Sequence, residues 1–250
     1  MKRYLILFLL VLVQHSYAAT PKELLDEANE AYKRSEYSYA VELYEQILEE
    51  GLVSADLYYN LGNAYFKNNM IGPAILNYER ALRLRPSDED TAHNLALARS
   101  RIIDRLDQRP ELFYDRWWRA AVSLQGSDGW AITSIILIIA FLGVTSVYLF
   151  SRTVILKKVS FYVMLLVFAS GALSLIFAQK QYNRLTSEKE AIIMQTRVTA
   201  KSSPSAQSPD LFLMHEGTKV HIRNTLGDWK EISLPNGNIG WIRKESIEII

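Results

Sequence analysis

The chain has 250 residues, with 28 lysines and arginines against 27 aspartates and glutamates and a formal net charge of +1. This balance gives no sign of a nucleic-acid-binding protein, and the length suits one or two domains. Because the sequence contains no cysteine, disulfides, thiolate metal ligands, a cysteine nucleophile and a lipoprotein attachment cysteine are excluded.

The N-terminus has the pattern of a secretory signal peptide. Lys2 and Arg3 precede an apolar run, and small residues follow that run. The run is too short for an ordinary membrane span. We expect residues 1–19 to form a signal peptide that is cleaved near Ala18 or Ala19; retention as an uncleaved anchor is the alternative.

A pattern of small and aromatic residues recurs with a period of 34. Ala40 and Tyr44 precede Ala74 and Tyr78 by that interval. The fuller second copy consists of Leu61, Gly62, Tyr65, Ala74, Tyr78, Ala81 and Pro86. Small residues let two helices approach closely, aromatic residues fill the space beside them, and proline stops the second helix. The pattern resembles the tetratricopeptide repeat, a helix-turn-helix unit.

A third copy begins at Asp88 but does not continue. Arg99 occupies the position expected for an aromatic residue, and Pro110 ends the segment. A single terminal helix with a charged outer surface is typical of the cap on a stacked array. We therefore predict an α-helical array of two repeats plus a capping helix over residues 20–108.

Two uncharged apolar runs, residues 130–150 and 159–178, are each about 20 residues long, which suits a hydrocarbon core of roughly 30 Å. The predicted loop between them, residues 151–158, carries Arg152, Lys157 and Lys158 and no acid. By the positive-inside rule this loop is cytoplasmic. We predict a two-pass protein of the cytoplasmic (inner) membrane, with its N- and C-terminal domains periplasmic, in agreement with the signal peptide.

The segment before the first run, residues 109–129, is amphiphilic. Phe113, Trp117, Ala121 and Leu124 share one helical stripe. Tryptophan favours the membrane interface, so an interfacial helix is one interpretation. Packing of the stripe against the capping helix is the other.

Beyond a predicted linker, residues 179–196, the periodicity changes to two. Alternating runs at 219–222, 229–234 and 239–242 predict strands, and Pro235-Asn236-Gly237-Asn238 predicts a tight turn. Residues 197–250 resemble the bacterial SH3 family in the order of these motifs, which implies a small β-barrel. Trp229 and Trp241 either form a stacking surface for a ligand or belong to the core and rim.

The resemblance to tetratricopeptide repeats implies a concave surface that binds a peptide or helix. Candidate partner-binding residues on it are Asn29, Tyr32, Tyr59, Asn60, Asn63, Phe66, Lys67 and Arg101. One subset of the family clamps a carboxylate with basic residues. Those basic positions fall here on Leu25, Asp90 and Asn94, so a carboxylate ligand is not expected.

No catalytic constellation is visible. The four histidines are scattered, His15 lies in the predicted signal peptide, and zinc-protease, phosphate-loop and nucleophile-elbow motifs are absent from the sequence. Carboxylates recur at helical spacing, as on solvated helix faces. We predict a non-enzymatic protein without a cofactor or metal.

The order of signal peptide, short repeat array, two spans with a basic loop and SH3-like domain resembles the BatE family of the Bat (aerotolerance) operons. The resemblance also rests on the segment "NLALARSRIIDRLDQ". It implies a membrane complex with other Bat proteins, including von Willebrand A-type membrane proteins, linked indirectly to a MoxR-type ATPase. The expectation is a scaffold for protein–protein interactions in stress resistance; the alternative is a receptor that binds peptidoglycan through the SH3-like domain.

Overall fold

The computed structural model describes residues 20–104, 112–187 and 189–250. The chain falls into two compact units, Met1–Leu52 and Val53–Ile250. The predicted signal peptide lies outside the described residues, as does the predicted boundary at residues 108 and 109 between the repeat array and the interfacial segment.

The first unit is a pair of helices joined by a short turn. Helix α1 (Pro21–Lys33) begins with a capping box, in which Thr20 and Glu23 satisfy each other's backbone amides. Ser35 turns the chain in the left-handed region with φ 63°, and α2 (Tyr37–Glu49) follows. The buried residues of the two helices are Leu24, Ala28, Ala31, Ala40, Val41, Leu43, Tyr44 and Ile47.

The second unit opens with another helix pair of the same design. Helix α3 (Ala55–Lys67) starts at Ser54, whose side chain accepts a hydrogen bond from the Leu57 amide. Asn69 has φ 61°, and α4 (Ile71–Leu84) follows it. Asn69 and Ser35 occupy the same position in the two copies of the repeat, so the period of the sequence extends to the left-handed turn between the helices.

The crossing of α3 and α4 requires a glycine. A Cβ atom at Gly62 would lie 2.8 Å from the ring of Tyr78, which is only 1% exposed. This close approach explains the small residue that the repeat pattern places there. Helix α5 (Glu89–Arg99) then packs on α4 and buries Thr91, Leu95 and Ala98.

Helix α6 (Phe113–Val122) packs on a later helix, α8 (Val154–Thr186). The rings of Trp118 and Phe177 meet edge to face with centroids 5.1 Å apart. On the predicted apolar stripe, Phe113 and Trp117 are exposed. The segment therefore has both an apolar contact with α8 and an apolar surface that faces outward.

Helices α7 (Ser127–Phe150) and α8 form a hairpin, and each is long and apolar enough to cross a membrane. They meet through small residues, with Ser134 and Ser174 hydrogen-bonded at 3.0 Å. The predicted apolar runs lie within these helices. Large exposed side chains on their outer surfaces include Ile132, Ile135, Ile136, Ile139, Leu142, Leu149, Leu165, Leu166, Phe168, Leu175 and Ile176.

The C-terminal part is a seven-stranded antiparallel sheet in the order β3-β2-β6-β5-β4-β1-β7. The strands are β1 (Glu190–Ile193), β2 (Arg197–Lys201), β3 (Asp210–His215), β4 (Lys219–Leu226), β5 (Trp229–Ser233), β6 (Ile239–Arg243) and β7 (Ile247–Ile249). The predicted strands correspond to β4, β5 and β6. The sheet also includes β1, which precedes the predicted start of the domain at residue 197.

The sheet is not closed, which corrects the expectation of a small barrel. Register shifts at Ala200/Lys201 and Ile222/Asn224 bend the strands around one core. The edge strand β7 is short, and each of its residues pairs with β1. Within the described residues, no ladder connects β7 to the other edge strand, β3.

Candidate partner-binding face

An asparagine and a tyrosine hold each helix pair together. The Tyr78 hydroxyl donates to Asn63 Oδ1 at 2.7 Å, and the Tyr44 hydroxyl donates to Asn29 Oδ1 at the same distance. The two bonds occupy equivalent positions in the two copies of the repeat. Burial raises the pKa of Tyr44 to about 12, so its hydroxyl stays protonated and able to donate at neutral pH.

Two of the candidate residues in the second unit belong to one polar cluster. Asn94 Nδ2 donates to Asn63 Oδ1 at 2.9 Å and to the Tyr59 hydroxyl at 3.3 Å. All three side chains are half-buried. The cluster joins α3 to α5, so Asn63 supports the local fold.

Two further candidates, Phe66 and Arg101, contact each other. The Arg101 guanidinium lies 4.3 Å from the centroid of the Phe66 ring, a cation–π distance. Phe66 is half-buried and Arg101 is exposed. We call the surface formed by Tyr59, Asn63, Phe66, Asn94 and Arg101 the α3–α5 face.

The remaining candidates of the repeats are not in these two clusters. Asn60 is half-buried on α3, and Lys67 is exposed at the end of that helix. Tyr32 belongs to the first unit with Asn29, and its ring meets that of Tyr37 edge to face at 5.3 Å.

The opposite side of this repeat is covered by the sheet. Arg80 on α4 donates to Glu248 at 2.9 Å and to the Ile249 carbonyl at 2.8 Å. The Gly72 amide donates to Glu216 at 3.1 Å. These contacts cover part of α4, whereas the residues of the α3–α5 face are half-buried or exposed.

A buried carboxylate reinforces this contact. Glu79 on α4 is 6% exposed and pairs with Arg99 of α5 and, at 3.1 Å, with Lys219 of β4. Lys219 also pairs with Glu190 of β1 at 2.9 Å. The chain of charges connects α5, α4 and the sheet, and each of these carboxylates has a cation beside it.

A second anchor follows α5. Asp104 accepts hydrogen bonds from the His215 amide at 2.6 Å and the Thr218 hydroxyl at 2.7 Å, and it contacts His215 Nδ1 at 2.8 Å. Burial opposes ionisation of Asp104, but the bonds from His215 and Thr218 outweigh it and hold the pKa of this carboxyl below its usual range. The sequence pattern did not single out Asp104 or Glu79, because their partners on the sheet are remote in the chain.

The two candidate tryptophans share the outer face of the sheet. Trp229 is paired with Arg243, and Trp241 with Glu231, in the ladder between β5 and β6. Directly opposite residues of an antiparallel pair lie on one face, and alternate residues of a strand share a face. Both tryptophans are half-buried, and the Arg243 guanidinium lies 4.9 Å from the Trp229 ring.

The tetratricopeptide repeat family matches residues 55–88, which are α3, α4 and the start of the following turn. Such repeats generally mediate protein–protein interactions. No curated protein matches the sequence significantly. In the described ranges, no three histidine, aspartate or glutamate side chains lie close enough together to hold a metal ion.

Proposed function

We propose that the chain is a non-enzymatic membrane scaffold whose α3–α5 face docks another protein. The hairpin of α7 and α8 supports the proposed anchoring in a membrane. A water-soluble protein rarely leaves a large continuous apolar surface exposed, whereas the outer sides of α7 and α8 carry many exposed isoleucines, leucines and phenylalanines. A bilayer accommodates such a surface.

The proposed topology is supported by the positions of the repeat and the sheet, which lie at the same end of the hairpin. Arg83 of α4 donates to the backbone carbonyls of Arg184, Ser187 and Ile250, so repeat and sheet both adjoin the C-terminal end of α8. The basic residues Lys157 and Lys158 lie near the other end of the hairpin. This separation fits a hairpin whose basic end is cytoplasmic and whose folded parts lie outside.

The observation that carries the docking role is the covered side of the repeat. Because the sheet occupies the outer side of α4, a partner that binds this repeat is directed to the α3–α5 face. Amide, phenol and stacked aromatic groups on that face suit a bound peptide or helix. By its order of parts, we assign the protein to a Bat-type envelope complex linked to aerotolerance, with von Willebrand A-type proteins as partners and a MoxR-type ATPase associated indirectly.

Co-purification from native membranes in mild detergent tests the docking role. We expect Phe66→Ala with Arg101→Ala to abolish recovery of von Willebrand A-type partners, because both side chains are accessible and stacked on each other. Asn63 is unsuitable for this test, since its substitution removes the acceptor of Tyr78. The control, Glu89→Ala with His93→Ala, changes two exposed side chains of α5. Unchanged recovery with the Phe66–Arg101 variant contradicts the docking role.

A receptor for peptidoglycan is the second candidate, favoured by the two tryptophans on the outer face of the sheet. Aromatic side chains of this kind stack on sugar rings and peptides. The test is sedimentation of the full chain with purified wall sacculi, since β1 and the contacts to α4 belong to the folded sheet. Binding that is lost in Trp229→Ala with Trp241→Ala, but retained in the exposed-leucine control Leu211→Ala, supports a receptor. Absence of wild-type binding excludes it.

A further inference from the structure

A basic cavity lies where the ends of α4, α6 and α8 meet β1. Its volume is about 730 Å³. Among the described residues, six lysines and arginines line it, together with one carboxylate, that of Glu190. The basic residues are Arg83, Arg116, Arg119, Lys180, Arg184 and Lys189. We call this cavity the cation pocket.

Four of these cations form no salt bridge among the residues that the structure describes: Arg116, Lys180, Arg184 and Lys189. All four are exposed. The other two cations, Arg83 and Arg119, and the carboxylate of Glu190 already have interaction partners. Arg83 donates to backbone carbonyls, and Glu190 is neutralised by Lys219 at 2.9 Å. The pocket therefore has an excess of positive charge that an anion would balance.

The position of the pocket along α8 indicates which anion it meets. Lys180 follows the apolar run that ends at Ala178, and its ammonium lies 5.4 Å from the centroid of the Trp118 ring. The rings of Trp118 and Trp130 both pack on Phe177. Tryptophan rings favour the headgroup level of a bilayer, so the cations lie where lipid phosphates are found.

The lining is also partly apolar. Leu82, Ala120 and Val122 contribute to the wall of the pocket. The corner between α6 and α7 is held by hydrogen bonds from Trp130 and Gln181 to the Val122 carbonyl, at 2.9 and 3.0 Å. An apolar wall beside clustered cations suits a lipid better than a free inorganic anion, because a lipid supplies both a phosphate and hydrocarbon.

We propose that the cation pocket binds the phosphate-bearing headgroup of an anionic phospholipid. The proposal rests on the proposed function in one respect, since it requires α7 and α8 to span a bilayer. A bound lipid would contact α4, α6, α8 and β1 together, and would thereby fix the repeat and the sheet relative to the membrane surface.

Titration of the detergent-purified full chain with phosphatidylglycerol, read by native mass spectrometry and by the thermal midpoint, tests the proposal. The pocket variant is Arg116→Gln, Lys180→Gln and Arg184→Gln. Its matched control is Arg152→Gln, Lys157→Gln and Lys158→Gln, which removes the same charge at the opposite end of the hairpin. Phosphatidylcholine, inorganic phosphate and glycerol phosphate serve as comparison ligands.

We expect phosphatidylglycerol to bind the wild type and the control alike, and the pocket variant about tenfold or more weakly, because the three cations changed in the pocket variant line one cavity and act together on one headgroup. Equal binding of phosphatidylcholine, or undiminished binding by the pocket variant, overturns the proposal. If inorganic phosphate displaces bound phosphatidylglycerol as effectively as added phosphatidylglycerol does, the pocket is a site for phosphate and not for a lipid.

Two checks keep the outcome interpretable. If the triple variant loses its helical circular dichroism, the single variants Arg116→Gln and Lys180→Gln replace it, each with an expected weakening of about two- to fivefold. Carbonate extraction of membranes tests the anchor separately. Release of the wild type by carbonate contradicts the proposed function, whereas retention without preference for phosphatidylglycerol contradicts only the lipid site.

Discussion

The two helix pairs of the repeat share one internal design and differ on their outer side. Each has a tyrosine-to-asparagine hydrogen bond of 2.7 Å and a left-handed turn residue at the same relative position. Glu45 in the first unit is the counterpart of Glu79 in the second, one full period later. Glu45 is exposed, whereas Glu79 is buried between two cations.

The same contrast extends along the second helix of each pair. Gln46 and Glu49 are exposed on α2, while their counterparts Arg80 and Arg83 bind the sheet from α4. The residues that recur in both copies thus specify the helix pair. The outer residues of its second helix determine whether that helix binds another part of the chain. In the second unit, Arg80 and Arg83 bind the sheet, which covers one side of α4.

The largest effect on stability is expected at Glu79, and the comparison is with its counterpart Glu45. Glu79→Gln should lower the free energy of unfolding of the second unit by about 2–3 kcal/mol, because it removes the charge that compensates the two cations beside it. Glu45→Gln should change stability by less than about 0.5 kcal/mol, because it alters an exposed side chain. Denaturant titration of the purified chain, followed by far-ultraviolet circular dichroism, measures both, because both units contain helices. Equal losses of stability in the two variants would contradict the inference that only the second helix pair uses this glutamate to bind the sheet.

Asp104 provides a second anchor with its own pH dependence. Its pKa is lowered in the folded chain, so its stabilising contribution is present above the usual aspartate pKa of about 3.9 and is lost as the pH falls through the folded value. Asp104→Asn should cost about 1–2 kcal/mol at neutral pH.

The pH profile separates this contribution from a general loss of packing. The stability difference between wild type and Asp104→Asn should begin to shrink below about pH 4, where the Asp104 carboxyl of the unfolded wild type takes up a proton. It should disappear below the lowered pKa of the folded chain, where both states of the wild type are protonated at this position. Asp90→Asn, an exposed aspartate on α5, is the control. A difference that stays constant from neutral pH to about pH 3 would show that Asp104 does not act through its charge.

Periodicity predicted the local elements because their causes lie close together in the sequence. The small residue at Gly62 and the aromatic Tyr78 belong to consecutive helices, and their packing produces the helix pair. Strand β1 was missed because the segment "EAII" directly follows a long helix and is too short to show alternation. Its burial comes from β4 and β7, which lie later in the chain.

The candidate site was predicted in part for the same reason. The repeat pattern selected Tyr59, Asn63, Phe66 and Arg101, and the structure brings them together in pairs. The repeat pattern did not reveal that Asn63 also stabilises the fold, because the sequence alone does not distinguish an asparagine that binds a ligand from one that accepts a hydrogen bond from a tyrosine. The docking of the sheet depends on pairings between remote parts of the chain, which no local pattern specifies.

The smallest expected effect tests what the two helix pairs share. Tyr44→Phe and Tyr78→Phe each remove one hydroxyl and keep the ring, so each should cost about 1 kcal/mol, the typical contribution of a partly buried hydrogen bond. Hydrogen exchange should place the change in α2 for the first variant and in α4 for the second. Because both bonds have the same length and each has an asparagine Oδ1 as its acceptor, Asn29 for Tyr44 and Asn63 for Tyr78, the two costs should agree within about 0.5 kcal/mol. A much larger loss of stability in one variant would mean that this hydrogen bond contributes differently in the two units. The two helix pairs would then differ in their interior as well as on their outer side.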